Sequence, residues 1–198
     1  MDFWVVERGV VAEGDEIVCG VDEAGRGPLA GPVFAAAVIL PFGIDIPGLN
    51  DSKKLPEKTR DRLYDEITGV ALSYGIASAD HKEIDRLNIL NATYLAMNRA
   101  IDLLSIKPDI ALIDGNRDSG IRFRSKCVVG GDGKSASIAA ASILAKVSRD
   151  RCLAEMAKIY PQYGFERHKG YGTKIHIEKL REFGPCDIHR ETFLRKIL

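Results

Sequence analysis

The sequence predicts an α/β protein: a mixed central sheet flanked by helices, followed by a small helical segment at the C-terminal end. Two observations carry this. Short apolar runs rich in Val, Ile and Ala alternate with longer stretches whose apolar residues recur at helical spacing. After Tyr160-Pro161 the composition turns to Gly, His, Lys and Tyr, which divides the chain into a main domain over 1–160 and a helical segment over 161–198 packed on it. A content of 45% apolar residues over 198 positions is enough for one sizeable core and argues against disorder.

Residues 17–22 and 33–40 read as strands, joined by the Gly/Pro-rich stretch 25–32 into a hairpin-like pair. Pro56 opens an amphipathic helix over 56–72, with Leu63, Ile67 and Val70 on one face, and a strand follows over 72–79. Asp80 can cap a short helix ending at Leu87. Over 91–104, Tyr94, Leu95, Met97, Ile101 and Leu104 mark another helix, stopped before Pro108. Residues 110–114 and 126–129 suit strands buried beneath helices, and the second runs into Gly130-Gly131-Asp132-Gly133. An alanine-rich helix over 135–159 has side chains small enough for close packing on a sheet. Two short helical stretches, 175–183 and 189–197, close the chain.

Several classes are disfavoured. The apolar run 33–40 is less than half of the roughly 20 residues that cross a bilayer, and no basic-then-apolar leader opens the chain, so a cytoplasmic protein without membrane contact is expected. Cys19, Cys127, Cys152 and Cys186 form no C-x-x-C pair, which suggests reduced thiols rather than a zinc ribbon or disulfide framework. The formal charge is zero, against an indiscriminate nucleic-acid binder. That average hides an asymmetry: residues 1–50 carry two basic and eight acidic side chains, residues 158–198 nine and five. The basic end suits phosphates, or is simply solvated helix surface.

Chemistry is indicated by carboxylates where a carboxylate is costly. Asp22 and Asp114 end apolar strands, and Asp132 sits in a Gly-rich turn opening a helix. Each alone reads as a turn former or cap; together they suggest a shared metal site, because buried carboxylates need a compensating cation. Oxygen ligands without nearby His or Cys favour Mg²⁺ or Mn²⁺ over zinc, and two such ions about 3.5–4 Å apart can hold a phosphodiester for hydrolysis. Such chemistry needs no histidine base, so His168 and His176 are weak candidates. Glu23 joins the group only if the strand ends at Asp22, since consecutive strand residues face opposite ways; Gly25 and Gly27 suggest that it does. Ser135, Ser142, Lys146 and Arg149 share a helical stripe that is either the substrate side or the solvent face. Gly130 to Ser135 lacks the gap of a phosphate-binding loop.

The motif Asp22-Glu23-Ala24-Gly25-Arg26-Gly27-Pro28 is accompanied by Leu49-Asn50-Asp51-Ser52-Lys53-Lys54-Leu55, Ile113-Asp114-Gly115-Asn116, Gly131-Asp132, Ala139-Ala140-Ala141-Ser142-Ile143-Leu144-Ala145-Lys146-Val147 and His168-Lys169-Gly170-Tyr171-Gly172-Thr173. In this order and spacing the sequence resembles ribonuclease HII, the bacterial type 2 ribonuclease H, over residues 17–193. The resemblance implies a ribonuclease H-like fold and an endonuclease. Its substrates would be the RNA strand of RNA/DNA hybrids and DNA containing single ribonucleotides, cut 5′ of the ribonucleotide to leave 5′-phosphate and 3′-hydroxyl ends. It implies two divalent ions on Asp22, Glu23, Asp114 and Asp132, and assigns the ribose 2′-hydroxyl to Gly25, Arg26 and Gly27, aided by Tyr171. Glycines admit close backbone approach, and the 2′-hydroxyl is what separates RNA from DNA. Ser52, Lys53 and Lys169 are expected on phosphates, Lys146 on the substrate side, and the chain is expected to act as a monomer.

Overall fold

A computed structural model describes residues 2–195 and 197. Its centre is a five-stranded sheet in the order β3-β2-β1-β4-β5, made of β1 (Val18–Ala24), β2 (Val33–Ile39), β3 (Ser73–Ala79), β4 (Ile110–Asp114) and β5 (Ser125–Val128). β1, β2 and β3 form an antiparallel meander, while β4 lies parallel to β1 and β5 parallel to β4. The helices are α1 (Val5–Ala12), α2 (Glu57–Val70), α3 (His81–Leu87), α4 (Ile89–Asp102), α5 (Ala136–Ile159), α6 (Phe165–His168), α7 (Lys174–Phe183) and α8 (Glu191–Leu194). None is long and apolar enough to cross a membrane among the described residues.

The two-residue period of the strands decides what covers each face. Ala35, Ala37 and Ile39 join Cys19, Val21 and Ile113 in the core beneath α4. Ala36, Val38 and Leu40 meet Leu63 and Ile67 of α2 and the alanine-rich start of α5 on the other side. α5 is buried on nearly all sides through Ala145, as its small residues permit. It lies so close to β1 that a Cβ on Gly20 would fall 2.1 Å from the Ser137 carbonyl carbon.

Four local features differ from expectation. β1 runs on to Ala24 rather than ending at Asp22, because its pairing with β2 continues through Glu23↔Ala35 and Ala24↔Phe34. The helix expected from residue 91 begins at Ile89, where the Asn88 side chain, on a residue with φ 65°, accepts hydrogen bonds from the Leu90 and Asn91 amides. α1 was not foreseen: its β-branched, Gly-containing sequence is a poor helix former and lacks a side-chain cap. Tertiary contacts hold it, with Val10 packed on Val18, Ile110, Leu112 and Ile138. The buried Glu7 carboxylate accepts from the Ser135 and Ser137 hydroxyls and the Ser137 amide at the start of α5. Of the stretch 189–197 expected to be helical, only Glu191–Leu194 is so, and Lys196 lies outside the described residues.

The C-terminal elements share a core with the β1–β2 loop and α5, in which Leu29, Ala30 and Leu153 meet Tyr163, Phe165, Leu180 and Leu194. Backbone hydrogen bonds stitch that loop on both sides, from Leu29 to the Gly170 carbonyl and from Gly31 to the Ile188 carbonyl, each 2.8 Å. Beneath lie His176 and His189, their Nε2 atoms 3.0 Å apart. Burial lowers the pKa of both, and with His176 alongside, that of His189 falls to about 4.

Two consequences are measurable. Gly20→Ala should cost about 3 kcal/mol or more, since α5 must move off the sheet; a denaturant midpoint near that of the wild type would contradict this. The histidine pair binds protons more tightly unfolded, at an ordinary value of 6.5, than folded. Its contribution to stability is therefore complete above about pH 6.5 and is lost as pH falls from there towards 4. Because the raised carboxyls of Asp22, Glu23 and Asp132 act in the opposite direction over this range, the comparison is with His189→Asn: the stability of the wild type relative to that variant should fall between pH 7 and 5, and a constant difference would contradict the assignment.

Candidate active site

The functional side chains gather at one end of the sheet. Asp22 lies near the end of β1 and Asp114 at the end of the adjacent parallel strand β4. The chain leaves β5 through a left-handed turn at Gly130 into a single 3₁₀ turn, Gly131–Gly133, which delivers Asp132 to the same place. The Gly131 amide donates to Asp114 Oδ1 at 2.7 Å and ties turn to strand. One oxygen from each of Asp22, Asp114 and Asp132 lies within 4.8 Å of the others.

Glu23 stands outside that triad. Because β1 continues to Ala24, Asp22 faces α5, whereas Glu23 turns to the opposite face and lines a second cleft with Thr93, Tyr94 and Asn116. Its carboxylate lies 3.5 Å from Arg26 Nη1 and borders Asp114. The early strand end is not observed, yet Glu23 also borders the cleft that holds Asp22 and Asp114, so the carboxylates stand on both sides of one strand and still meet at its end.

Electrostatics single out the cluster. Burial, then the charges of Glu23 and Asp114, hold the Asp22 carboxyl well above its ordinary value, against the Ser142 hydroxyl and the Glu23 amide. Burial and Asp114 also raise Asp132, opposed by Lys53. Burial raises Glu23, with Arg26 pulling the other way. Lys53 Nζ is 3.4 Å from Asp132, and although burial disfavours its charge, Asp22, Asp132 and Asp51 prevail and raise its pKa. One lysine against several carboxylates leaves a local excess of negative charge. An all-oxygen donor set of this kind fits hard divalent cations such as Mg²⁺ or Mn²⁺.

A cleft of about 250 Å³ brings most of the expected residues together. Asp22, Glu23 and Asp114 border it on one side, Gly25, Arg26 and Gly27 on another, with Ser52, Lys53, Lys146 and Tyr171 completing it. The Ser52 hydroxyl is buried and shares a 2.9 Å hydrogen bond with that of Ser142. Lys146 is held between the two carboxylate oxygens of Asp150, at 2.6 Å each. Tyr171 is exposed, and its ring lies 3.7 Å from the position of a Cβ on Gly27. Lys169 is elsewhere, in a neighbouring groove with Arg60 and Arg151. His168 and His176 stack in the C-terminal core, away from the carboxylates.

The helical stripe resolves unevenly. Ser142 and Arg149 are buried at 2% and 1% exposure, which rules out a solvent face. Ser135, however, turns to Glu7 and caps α5 rather than facing the cleft. Arg149, which the helical stripe placed on either the substrate side or the solvent face, has its guanidinium beneath the glycine turn, where it is joined by Arg190, a residue the sequence reading missed. Arg149 fills the space beside Gly25, at φ 100°, where a Cβ would meet its Nε at 2.0 Å. No sequence signal distinguished Arg190 from a surface charge.

Carboxylates clustered at the ends of adjacent parallel strands, on a mixed sheet backed by α5, define the ribonuclease H class of metal-dependent nucleases. The sequence model for ribonuclease HII matches residues 19–196. Among curated relatives, ribonuclease HII of Caldicellulosiruptor saccharolyticus is 53% identical over 197 residues, covering 100% of this chain and 96% of the relative. That of Burkholderia mallei is 60% identical over 178 residues, covering 90% and 83%. The crystal structure of ribonuclease H2 from Pyrococcus horikoshii superposes with a TM-score of 0.75 at 28% identity, covering 91% of this chain and 96% of that one. The chain belongs to the ribonuclease HII family.

Repulsion among the buried carboxylates predicts that Asp22→Asn raises the melting temperature of the metal-free protein, by on the order of 3 °C for about 1 kcal/mol in a chain of this size. The same variant should lose the stabilisation that Mg²⁺ or Mn²⁺ gives the wild type. Equal metal-dependent shifts in both proteins would contradict the site.

Proposed function

We propose that the chain is an endonuclease that hydrolyses the RNA strand of RNA/DNA hybrids and incises 5′ of single ribonucleotides in duplex DNA, leaving 5′-phosphate and 3′-hydroxyl ends. The observation that carries this is the carboxylate triad set in one cleft against a glycine-arginine-glycine turn. Asp22, Asp114 and Asp132, with Glu23 on the other side of the strand, would hold two divalent cations, Mg²⁺ or Mn²⁺, which supply charge neutralisation at the phosphodiester and lower the pKa of an attacking water.

The remaining residues bind and orient. The turn at Gly25, Arg26 and Gly27 admits a sugar close to the backbone and takes the 2′-hydroxyl, and the exposed Tyr171 ring beside it packs on a neighbouring sugar. Lys53, kept protonated by the carboxylates around it, takes a phosphate, while Ser52 fixes its turn through Ser142. Lys146 adds positive charge at the cleft wall. Lys169, in its groove with Arg60 and Arg151, extends a track for phosphates beyond the cut. On this reading residues 1–160 form the catalytic domain and 161–198 a substrate-binding segment that backs the turn. The protein acts as a cytoplasmic monomer whose partner is the nucleic acid.

Three labelled duplexes test the reading: all-DNA, DNA with one ribonucleotide, and a full RNA/DNA hybrid, each with Mg²⁺ or Mn²⁺. The wild type should cut the latter two, and Asp22→Asn should be slower by about 10³-fold or more, since a cation ligand is lost. Equal cutting of all-DNA duplex would defeat the ribose assignment.

A further inference from the structure

Arg190 is fully buried, and its three hydrogen bonds go to backbone carbonyls of the β1–β2 loop: Nη2 to Gly25 at 2.7 Å, Nη1 to Arg26 at 2.9 Å and Nε to Gly31 at 2.9 Å. Arg149 complements it from α5, donating to the carbonyls of Ala30, Pro32 and Lys169. Burying two guanidinium groups on carbonyls is expensive. Burial and the neighbouring Arg149 lower the pKa of Arg190 to about 9. Hydrophobic residues would fill this space at lower cost, so the donors serve a geometric purpose: they fix a loop whose glycines would otherwise leave it loose.

The fixed turn is also connected to Tyr171. The Cys186 amide donates to His189 Nδ1 at 2.9 Å, which leaves the proton of the neutral ring on Nε2. That Nε2–H donates to His176 Nε2, whose Nδ1–H donates to the Tyr171 carbonyl at 2.9 Å. With His189 Nδ1 accepting from the Cys186 amide at 2.9 Å in preference to donating to the Cys186 carbonyl at 3.2 Å, one tautomer assignment satisfies the chain from Cys186 to Tyr171. His189 is adjacent to Arg190 and bridges Ala30 of the loop, so the turn and Tyr171 are braced on one buried strut.

We infer that Arg190, braced through His189 and His176, is a positioning residue that sets the glycine turn against Tyr171 so that the two together select a ribonucleotide. The inference rests on the assignment of that turn to the 2′-hydroxyl. Lysine at 190 keeps the charge but cannot reach three carbonyls from one planar group.

The test compares cleavage kinetics on DNA containing one ribonucleotide with inhibition of that cleavage by all-DNA duplex. Arg190→Lys should lower kcat/KM at the ribonucleotide by roughly tenfold or more, as misplacement of a positioning group does, while the inhibition constant of all-DNA duplex changes less than about twofold, a difference too small to report a lost contact. His176→Asn should act in the same direction and decides the matter if Arg190→Lys does not fold. A purely structural role would weaken both quantities together in line with the folded fraction, and that outcome, or unchanged kinetics, overturns the inference. If the wild type itself fails to favour ribonucleotide over all-DNA duplex, the 2′-hydroxyl assignment fails instead.

Discussion

A carboxylate buried among carboxylates dominates this molecule. Asp22 is nearly inaccessible, with Glu23 and Asp114 as charged neighbours and Lys53 the nearby cation. A protein relieves such an arrangement by protonation or by a bound cation, and the geometry around the cluster favours the cation. The parallel pairing of β1 with β4 puts two strand ends side by side, the turn after β5 brings the third carboxylate, and the Gly131 amide fixes Asp114 without neutralising it. Stability is conceded at this end of the sheet and recovered elsewhere, in the two cores beneath α4 and α5.

The packing of α5 is what makes that placement rigid. Gly20 lets the helix lie against β1, and the small residues along α5 let it be enclosed by sheet, α2 and the C-terminal elements. Ser142 then reaches the vicinity of Asp22, Lys146 the cleft wall and Arg149 the underside of the glycine turn. One helix thereby couples the carboxylate cluster to the loop assigned to substrate recognition. Glu7 holds its far end through the Ser135 and Ser137 hydroxyls.

Much of this was legible in the sequence, for physical reasons that particular residues show. The unbroken apolar run from Ala35 through Ile39 marks a strand covered on both faces, and Asp22, Asp114 and Asp132 stand out because an acidic group at such positions needs a compensating partner. Glu23 was harder, because its direction depends on whether β1 pairs for two more residues, a matter settled across the sheet by Phe34 and Ala35. α1 has weak local propensity and exists through contacts with distant residues. Arg190 was least legible, and Arg149 was legible only as a member of the stripe on α5. Their acceptors are backbone carbonyls as far as 165 residues away in sequence, and neither composition nor spacing distinguishes a buried guanidinium from a solvated one.

The central claim is that the carboxylate cluster is a divalent-cation site, and the most direct measurement is anomalous scattering from crystals of the wild-type protein grown with Mn²⁺. The account predicts anomalous density bounded by oxygens of Asp22, Asp114 and Asp132. Density confined to other acidic surfaces, or none near Asp22 at saturating Mn²⁺, would contradict it.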